Sequence, residues 1–324
     1  EELKDRFGSD EMDRLITNTG ITSRRVALNE ECASDLAFQA ADSIFEKGDI
    51  SPQDIDFVIF SSQMPDYLLP TTACILQDRL GIPKTAGAFD INLGCSQYIY
   101  SHATAFSFIS SGLASKVLVM TGDTPSRIIN PNDRSVVPLF GDGGTAAIIQ
   151  KVECGQGYQT FDFGSDGSGS DSLIWPSSGL RRSKHTEELQ EGKIIRTSDD
   201  MFMDGSKIFL FTLKTVPKTL KSFLEKNQLG VEDIDFFIFH QASEMILNNI
   251  VKKMAIPEEK FNRIYKTRGN PGGSSVGISL HKAISDKKIL PGSKVVMSAF
   301  GVGLSWAHSL TIWPDIDVSS EALE

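Results

Sequence analysis

The feature that most constrains this 324-residue chain is an internal repeat. Asp54-Ile-Asp-Phe-Val-Ile-Phe60 returns as Asp233-Ile-Asp-Phe-Phe-Ile-Phe239, an offset of 179 (233 − 54). Lys116-Val-Leu-Val-Met120 returns as Lys294-Val-Val-Met297, an offset of 178 (294 − 116). Gly94-Cys95-Ser96 corresponds to Gly269-Asn270-Pro271, an offset of 175 (269 − 94). Any two buried strands draw on Val, Ile and Phe. The shared Asp-Ile-Asp prefix, the common order and the near-constant spacing are what identify a duplication.

Each half then reads alike. A helix (33–47; 206–227) leads through an acidic turn to a continuous apolar strand of the buried kind. A second helix follows (71–80; 244–254), then a loop carrying the Gly-Cys or Gly-Asn pair. A helix of small and apolar residues (96–111; 274–287) precedes a second buried strand (117–121; 295–300). Strands alternating with helices of this length predict an α/β fold with largely parallel sheets. Two halves related by a pseudo-dyad would pack as a five-layer αβαβα sandwich. The expected organisation is a first half over 1–155, a connecting excursion over 156–205 and a second half over 206–324. The Gly-, Ser- and Asp-rich stretch 161–179 reads as a surface excursion.

Composition excludes several functions. The chain carries 32 Lys and Arg against 42 Asp and Glu, a formal net charge of −10. That balance argues against nucleic acid or an anionic membrane as partner. No window holds the roughly 18 apolar residues of a membrane span, and the charged start EELKDRFGSDEMDR does not read as a signal peptide. The four cysteines are widely spaced without CxxC pairing, as expected of a reduced, cytoplasmic protein. The five histidines show no HExxH spacing, so no metal site is expected. Nucleotide-binding glycine motifs are absent, and the Asp162 stretch does not complete a calcium loop because its twelfth position is Leu173.

In open α/β sheets, ligands bind beyond the C-terminal ends of strands and at helix N-termini. The repeat shows what stands there. Cys95 opens the small-residue helix of the first half, Asn270 holds the equivalent place in the second, and His240 follows the strand ending at Phe239. A pseudo-dyad would bring the three towards the middle of the molecule. A thiol at a helix N-terminus is expected to have a lowered pKa. Taken singly, each has a structural reading: Cys95 as a packing residue, His240 as a core histidine, Asn270 as a turn or cap. By that standard Cys32, Cys74 and Cys154 read as structural.

The segments Phe89-Asp-Ile-Asn-Leu-Gly-Cys95-Ser, Phe239-His240-Gln-Ala242 and Arg268-Gly-Asn270 resemble the Cys, His and Asn motifs of the β-ketoacyl-acyl-carrier-protein synthase III family. Thr19-Gly-Ile21, Phe140-Gly-Asp-Gly143, Gly164-Ser-Asp-Gly167 and Ala299-Phe-Gly301 extend the resemblance, in order, over about residues 10 to 311. It implies the thiolase fold, which agrees with the repeat. It also implies a strand ahead of the first helix, upstream of the residues given.

The resemblance implies a two-step acyl transfer without metal or redox cofactor. Cys95 would take an acyl group from acyl-CoA. His240 and Asn270 would then hold malonyl-acyl carrier protein and stabilise the enolate left by decarboxylation, giving a 3-oxoacyl product. Backbone N–H groups of Cys95 and Val302 would form a second oxyanion hole; Val302 stands where the family has the middle glycine of a triplet. Arg134 matches an arginine beside the CoA adenine, but the usual aromatic partner is Arg14 and a neighbouring arginine is Asn18, so the resemblance implies an altered CoA mouth. Leu69 would border the acyl pocket of a partner copy in a homodimer, and Phe300 would line the substrate site. Lys252 and Lys253 match a basic pair that docks the carrier protein, while Met245 replaces a further basic residue. Two other readings are a non-decarboxylating acyltransferase passing the Cys95-bound group to oxygen or nitrogen, and a non-catalytic partner subunit.

Overall fold

The structure is a computed structural model and describes residues 2–181, 187–190 and 192–315. The repeat is visible in its sheets. The first holds β1 (Phe57–Ser61), β2 (Gly87–Ile91), β3 (Lys116–Asp123) and β4 (Gly143–Gln150), in the order β2-β1-β3-β4. The second is built around β6 (Phe236–Phe239), β7 (Lys294–Gly301) and β8 (Ser305–Ile312), with β5 (Gly157–Ser165) outside β8. β1 runs parallel to β3 and β6 parallel to β7, and an antiparallel strand follows in each case, β4 and β8.

The Asp-Ile-Asp prefix has a physical reason. Asp54 accepts the backbone N–H of Ser51, and its repeat partner Asp233 accepts that of Gly230, so each closes the preceding turn. Two residues on, Asp56 accepts the N–H of Lys116 at 2.9 Å and Asp235 that of Lys294 at 2.7 Å. Each carboxylate therefore pins the start of the neighbouring strand. Those bonds favour the charged form and hold the Asp56 carboxyl below its usual range.

The strands read as continuous apolar runs because both faces are covered. After α1 (Glu2–Phe7) and α2 (Ser9–Thr19), the outer face of the first sheet packs Val58, Phe60, Leu118 and Met120 beneath α3 (Ala33–Glu46) and α4 (Thr72–Arg79). On its inner face Ile59, Val117 and Val119 meet α5 (Gln97–Ser111). The second sheet repeats the pattern: Phe237 and Phe239 face α6 (Gly205–Lys226) and α7 (Glu244–Met254), whereas Phe236, Ile238 and Met297 face the interior with Val276 of α9 (Ser275–Ser285), which follows the one-turn helix α8 (Tyr265–Arg268). Fully burying each such side chain is worth roughly 1.5–3 kcal/mol. α5 and α9 touch strands of both sheets and so form the middle layer. The result is the αβαβα sandwich the repeat predicts.

Two differences from expectation stand out. Residues 157–165, assigned by composition to the connecting excursion, form β5 and pair with β8 over its whole length. Tyr158 and Phe161 of β5 stack at 5.1 Å against the inner core, a packing signal hidden by the Gly- and Ser-rich residues that follow. The second difference is an asymmetry. Among the described residues the outer edge of β4 carries no strand equivalent to β5, and a groove of about 1210 Å³ runs there between α3, α5 and α9. Neither Cys95, His240 nor Asn270 lines that groove. No helix among the described residues is long and apolar enough to cross a membrane.

Candidate active site

Cys95 lies on the turn entering α5, closed by the bond from Gln97 N–H to Gly94 C=O at 2.8 Å. The thiol is 8% exposed and faces the end of β7: a Cβ on Gly301 would stand 2.5 Å from its sulfur. Only glycine therefore fits at 301. Val302 turns its side chain onto Gly94, where any Cβ would collide with Val302 Cγ1. The bulk that replaces the expected glycine is thus absorbed on the far side of the turn. The backbone N–H groups of Val302 and Cys95 both act on the Cys95 sulfur and favour its charged form.

Burial overrides the helix N-terminus. Desolvation pushes the Cys95 thiol up to about 12, outweighing those two N–H groups, and the nearby Asp123 carboxylate adds to the rise. The resting site therefore holds a thiol, contrary to the lowered pKa expected from sequence. His240 is shifted the opposite way for the same reason: burial lowers it to about 4, so its imidazole is neutral.

His240 follows β6 as predicted, its N–H bonded to Ser298 C=O of β7 at 2.9 Å. Its Nδ1 meets Ser275 Oγ, at the start of α9, at 2.7 Å. A hydroxyl both donates and accepts, so this partner supports either neutral tautomer. The ring edge is set by Phe300, with centroids 5.5 Å apart and planes nearly perpendicular. Phe300, expected to line the substrate site, is 1% exposed and packs edge-on against the imidazole.

Asn270 belongs to the second half but is gripped by the first. Its N–H donates to Leu139 C=O at 2.8 Å, and Gly141 N–H donates to its carbonyl at 3.1 Å. The Phe140-Gly-Asp-Gly143 motif thus serves as a backbone clamp, steadied where Asp142 accepts the N–H groups of Ala27 and Ser126. Asn270 Oδ1 accepts the Gly272 N–H, leaving the amide NH₂ as the end available to a ligand. Gly272 also reaches the His240 ring through its backbone, so contacts run unbroken from Cys95 through Gly301 and Phe300 to His240 and on to Asn270.

The remaining expected residues stand apart. Leu69 is 88% exposed beside exposed Tyr67 and Leu68. Arg134 lines a small cleft with the Asp133–Arg196 ion pair. Lys252 and Lys253 are exposed on α7, and Lys253 Nζ donates to Leu213 C=O. None of these four is joined to the three polar residues by a described hydrogen bond or ring contact. Of the other cysteines, Cys32 caps α3, but Cys74 and Cys154 are exposed and are not packing residues. Ser275 and Asp123 escaped the sequence reading, although a lone carboxylate ending a buried strand was a signal that could have found Asp123.

Comparison with known proteins agrees with this geometry. Residues 89–167 match the family model 3-oxoacyl-[acyl-carrier-protein] synthase III, and residues 224–313 match the model of its C-terminal part. The β-ketoacyl-[acyl-carrier-protein] synthase III of Caldanaerobacter subterraneus subsp. tengcongensis is 37% identical over 299 residues, 92% of this chain and 88% of that protein. The 3-oxoacyl-(acyl-carrier protein) synthase of Burkholderia xenovorans superposes with a TM-score of 0.90 at 31% identity, over 97% of this chain and 89% of that one. The synthase III of Thermus thermophilus does so at 0.84 and 33%, over 95% and 92%. With its thiolase fold and its Cys, His and Asn loops, the chain belongs to the β-ketoacyl-[acyl-carrier-protein] synthase III family of condensing enzymes.

Proposed function

We propose that this enzyme carries an acyl group on Cys95, taken from an acyl-CoA, and condenses it with malonyl-acyl carrier protein. The observation that carries the reading is the continuous chain of contacts linking Cys95, His240 and Asn270 across the two halves. Because the resting thiol is protonated, its proton leaves in concert with attack on the thioester, passing to neutral His240 and then to the departing thiol. The tetrahedral oxyanion meets the N–H groups of Cys95 and Val302. In the second step the Asn270 amide and the His240 ring N–H hold the malonyl thioester oxygen. Carbon dioxide leaves, the carbanion attacks the acyl carbon and the C–S bond to Cys95 breaks. The 3-oxoacyl thioester is released on the carrier, while the Cys95 thiolate takes up a proton from solvent to restore the thiol. Neutral donors suit an enolate whose charge develops only in the transition state.

The exposed Tyr67-Leu68-Leu69 segment supports a homodimer in which it is covered by a second copy. Leucine is smaller than the aromatic residue common at position 69 in the family, which favours primers longer than acetyl. Each extra buried methylene is worth about 0.8 kcal/mol. The test is intact mass after incubation with acetyl to decanoyl thioesters, followed by malonyl-acyl carrier protein. A covalent acyl adduct chased into a 3-oxoacyl product supports the reading. An adduct released only onto oxygen or nitrogen acceptors, without carbon dioxide, would replace it with simple acyl transfer.

A further inference from the structure

β3 and β7 are repeat-equivalent and end at Asp123 and Gly301. Each end reaches across the pseudo-dyad to the other half's loop. Gly301 abuts Cys95, while the Asp123 carboxylate lies under the loop that follows Asn270. Asp123 is 3% exposed. Its Oδ2 accepts Gln97 Nε2, two residues beyond Cys95, at 2.7 Å, and Gly273 N–H, three residues beyond Asn270, at 2.8 Å. The N–H groups of Gln63 and Ser274 also bond to it. Gly272, at φ +55°, lets the loop close over the carboxylate, since a Cβ there would stand 2.6 Å from Oδ2.

We propose that Asp123 is a positioning residue that holds the Cys95 turn and the Asn270 loop in register, so that a carbanion formed at one reaches the acyl group carried on the other. This rests on the two-step reading above. The donors around Asp123 are all neutral, so the carboxylate is bound by hydrogen bonds without a counter-cation. Burial is the largest influence and raises it to about 7, while the four donors oppose that rise. Of the titratable groups, Cys95 faces it, and the Asp123 charge is one cause of the raised thiol. Protonated Asp123 would offer a fourfold-donor nest one acceptor fewer, so the register loosens as pH falls below about 7.

The test is Asp123→Asn, which preserves shape but sets an NH₂ against N–H donors. An unsatisfied buried donor typically corresponds to about a ten- to hundredfold change in rate. That loss is expected in condensation of pre-acylated enzyme, with Cys95 self-acylation changed about threefold or less, because acylation uses the Cys95 turn and His240 but not the Asn270 loop. The parent should show an acid limb of condensation near pH 7, and that limb should vanish in the variant. Independently of any acyl substrate, iodoacetamide modification of Cys95, followed by peptide mass, should show its pH midpoint moved downward in Asp123→Asn. Gln97→Met, which removes only the bond nearest Cys95, should lower condensation in the same direction and decides the matter if Asp123→Asn does not fold. Equal losses in both half-reactions, or an unmoved Cys95 midpoint, would overturn the proposal. Absence of any acyl adduct on the parent enzyme would instead overturn the two-step reading, leaving the alkylation midpoint to judge Asp123.

Discussion

The two halves share a fold and divide the chemistry. In the first, the turn before the central helix carries a thiol; in the second, the equivalent turn carries an amide, and the strand before it delivers an imidazole. Each turn is braced by the opposite half. Cys95 rests on Gly301 and Val302, and Asn270 is laddered to Leu139 and Gly141. A duplication left side by side would present two weak half-sites, whereas the pseudo-dyad makes each half the scaffold of the other's functional loop. The comparison teaches that positioning here is reciprocal, while nucleophile and carbanion chemistry are segregated.

The largest effect should come from breaking the second half alone. Asn270→Ala and His240→Ala each remove one donor to the enolate, and losing one preorganised oxyanion donor costs about 3–4 kcal/mol of barrier, or roughly a thousandfold. Decarboxylation and condensation should fall by that much in rapid-quench assays. Acylation of Cys95 should survive Asn270→Ala nearly unchanged and be slowed less by His240→Ala. Equal losses in both steps would show that the division of labour is wrong.

Acid should weaken both halves, the second more. Burial lowers His102 of α5, His240 and His308 of β8 to about 4. Their folded values lie below the unfolded value near 6.5. The stabilisation is therefore present above pH 6.5 and is lost as pH falls through 4. By linkage each histidine forfeits about 2 kcal/mol between pH 8 and pH 5. Denaturant titrations should show a clear drop over that window, and a flat profile would mean these imidazoles are not buried neutral.

A smaller effect should sharpen the role of the second half's turn. Ser275→Ala leaves His240 Nδ1 without its partner, worth about tenfold in condensation. Ser275→Thr retains the hydroxyl and should restore most of the rate. Failure of threonine to rescue would mean that Ser275 serves only packing.

Much of this was legible in the sequence because duplication encodes it twice. The strands of the Asp-Ile-Asp-Phe motif and the central helices followed from buried apolar runs and repeat spacing. β4 and β8 did not: Gly143-Gly144-Thr145-Ala146-Ala147 are small residues only half-buried, and in β8 Ser305, Ala307, His308 and Ser309 are small or polar residues buried by neighbours rather than by their own hydrophobicity. Cys95, His240 and Asn270 could be named from position and resemblance. Their protonation could not, since it turns on burial: a helix N-terminus suggested a thiolate, and desolvation in the assembled core reversed it. The burial of Phe300 was not legible for a similar reason, because which face of β7 it occupies depends on the second sheet's packing.

The most direct test of the division between halves is carbon dioxide release from malonyl-acyl carrier protein by Cys95→Ala, measured beside Asn270→Ala. The account predicts that Cys95→Ala takes up no acyl mass yet still decarboxylates the malonyl group, because the second half's donors are intact. Asn270→Ala should carry the acyl group and release no carbon dioxide. Loss of decarboxylation in Cys95→Ala, with its fold preserved, would contradict it.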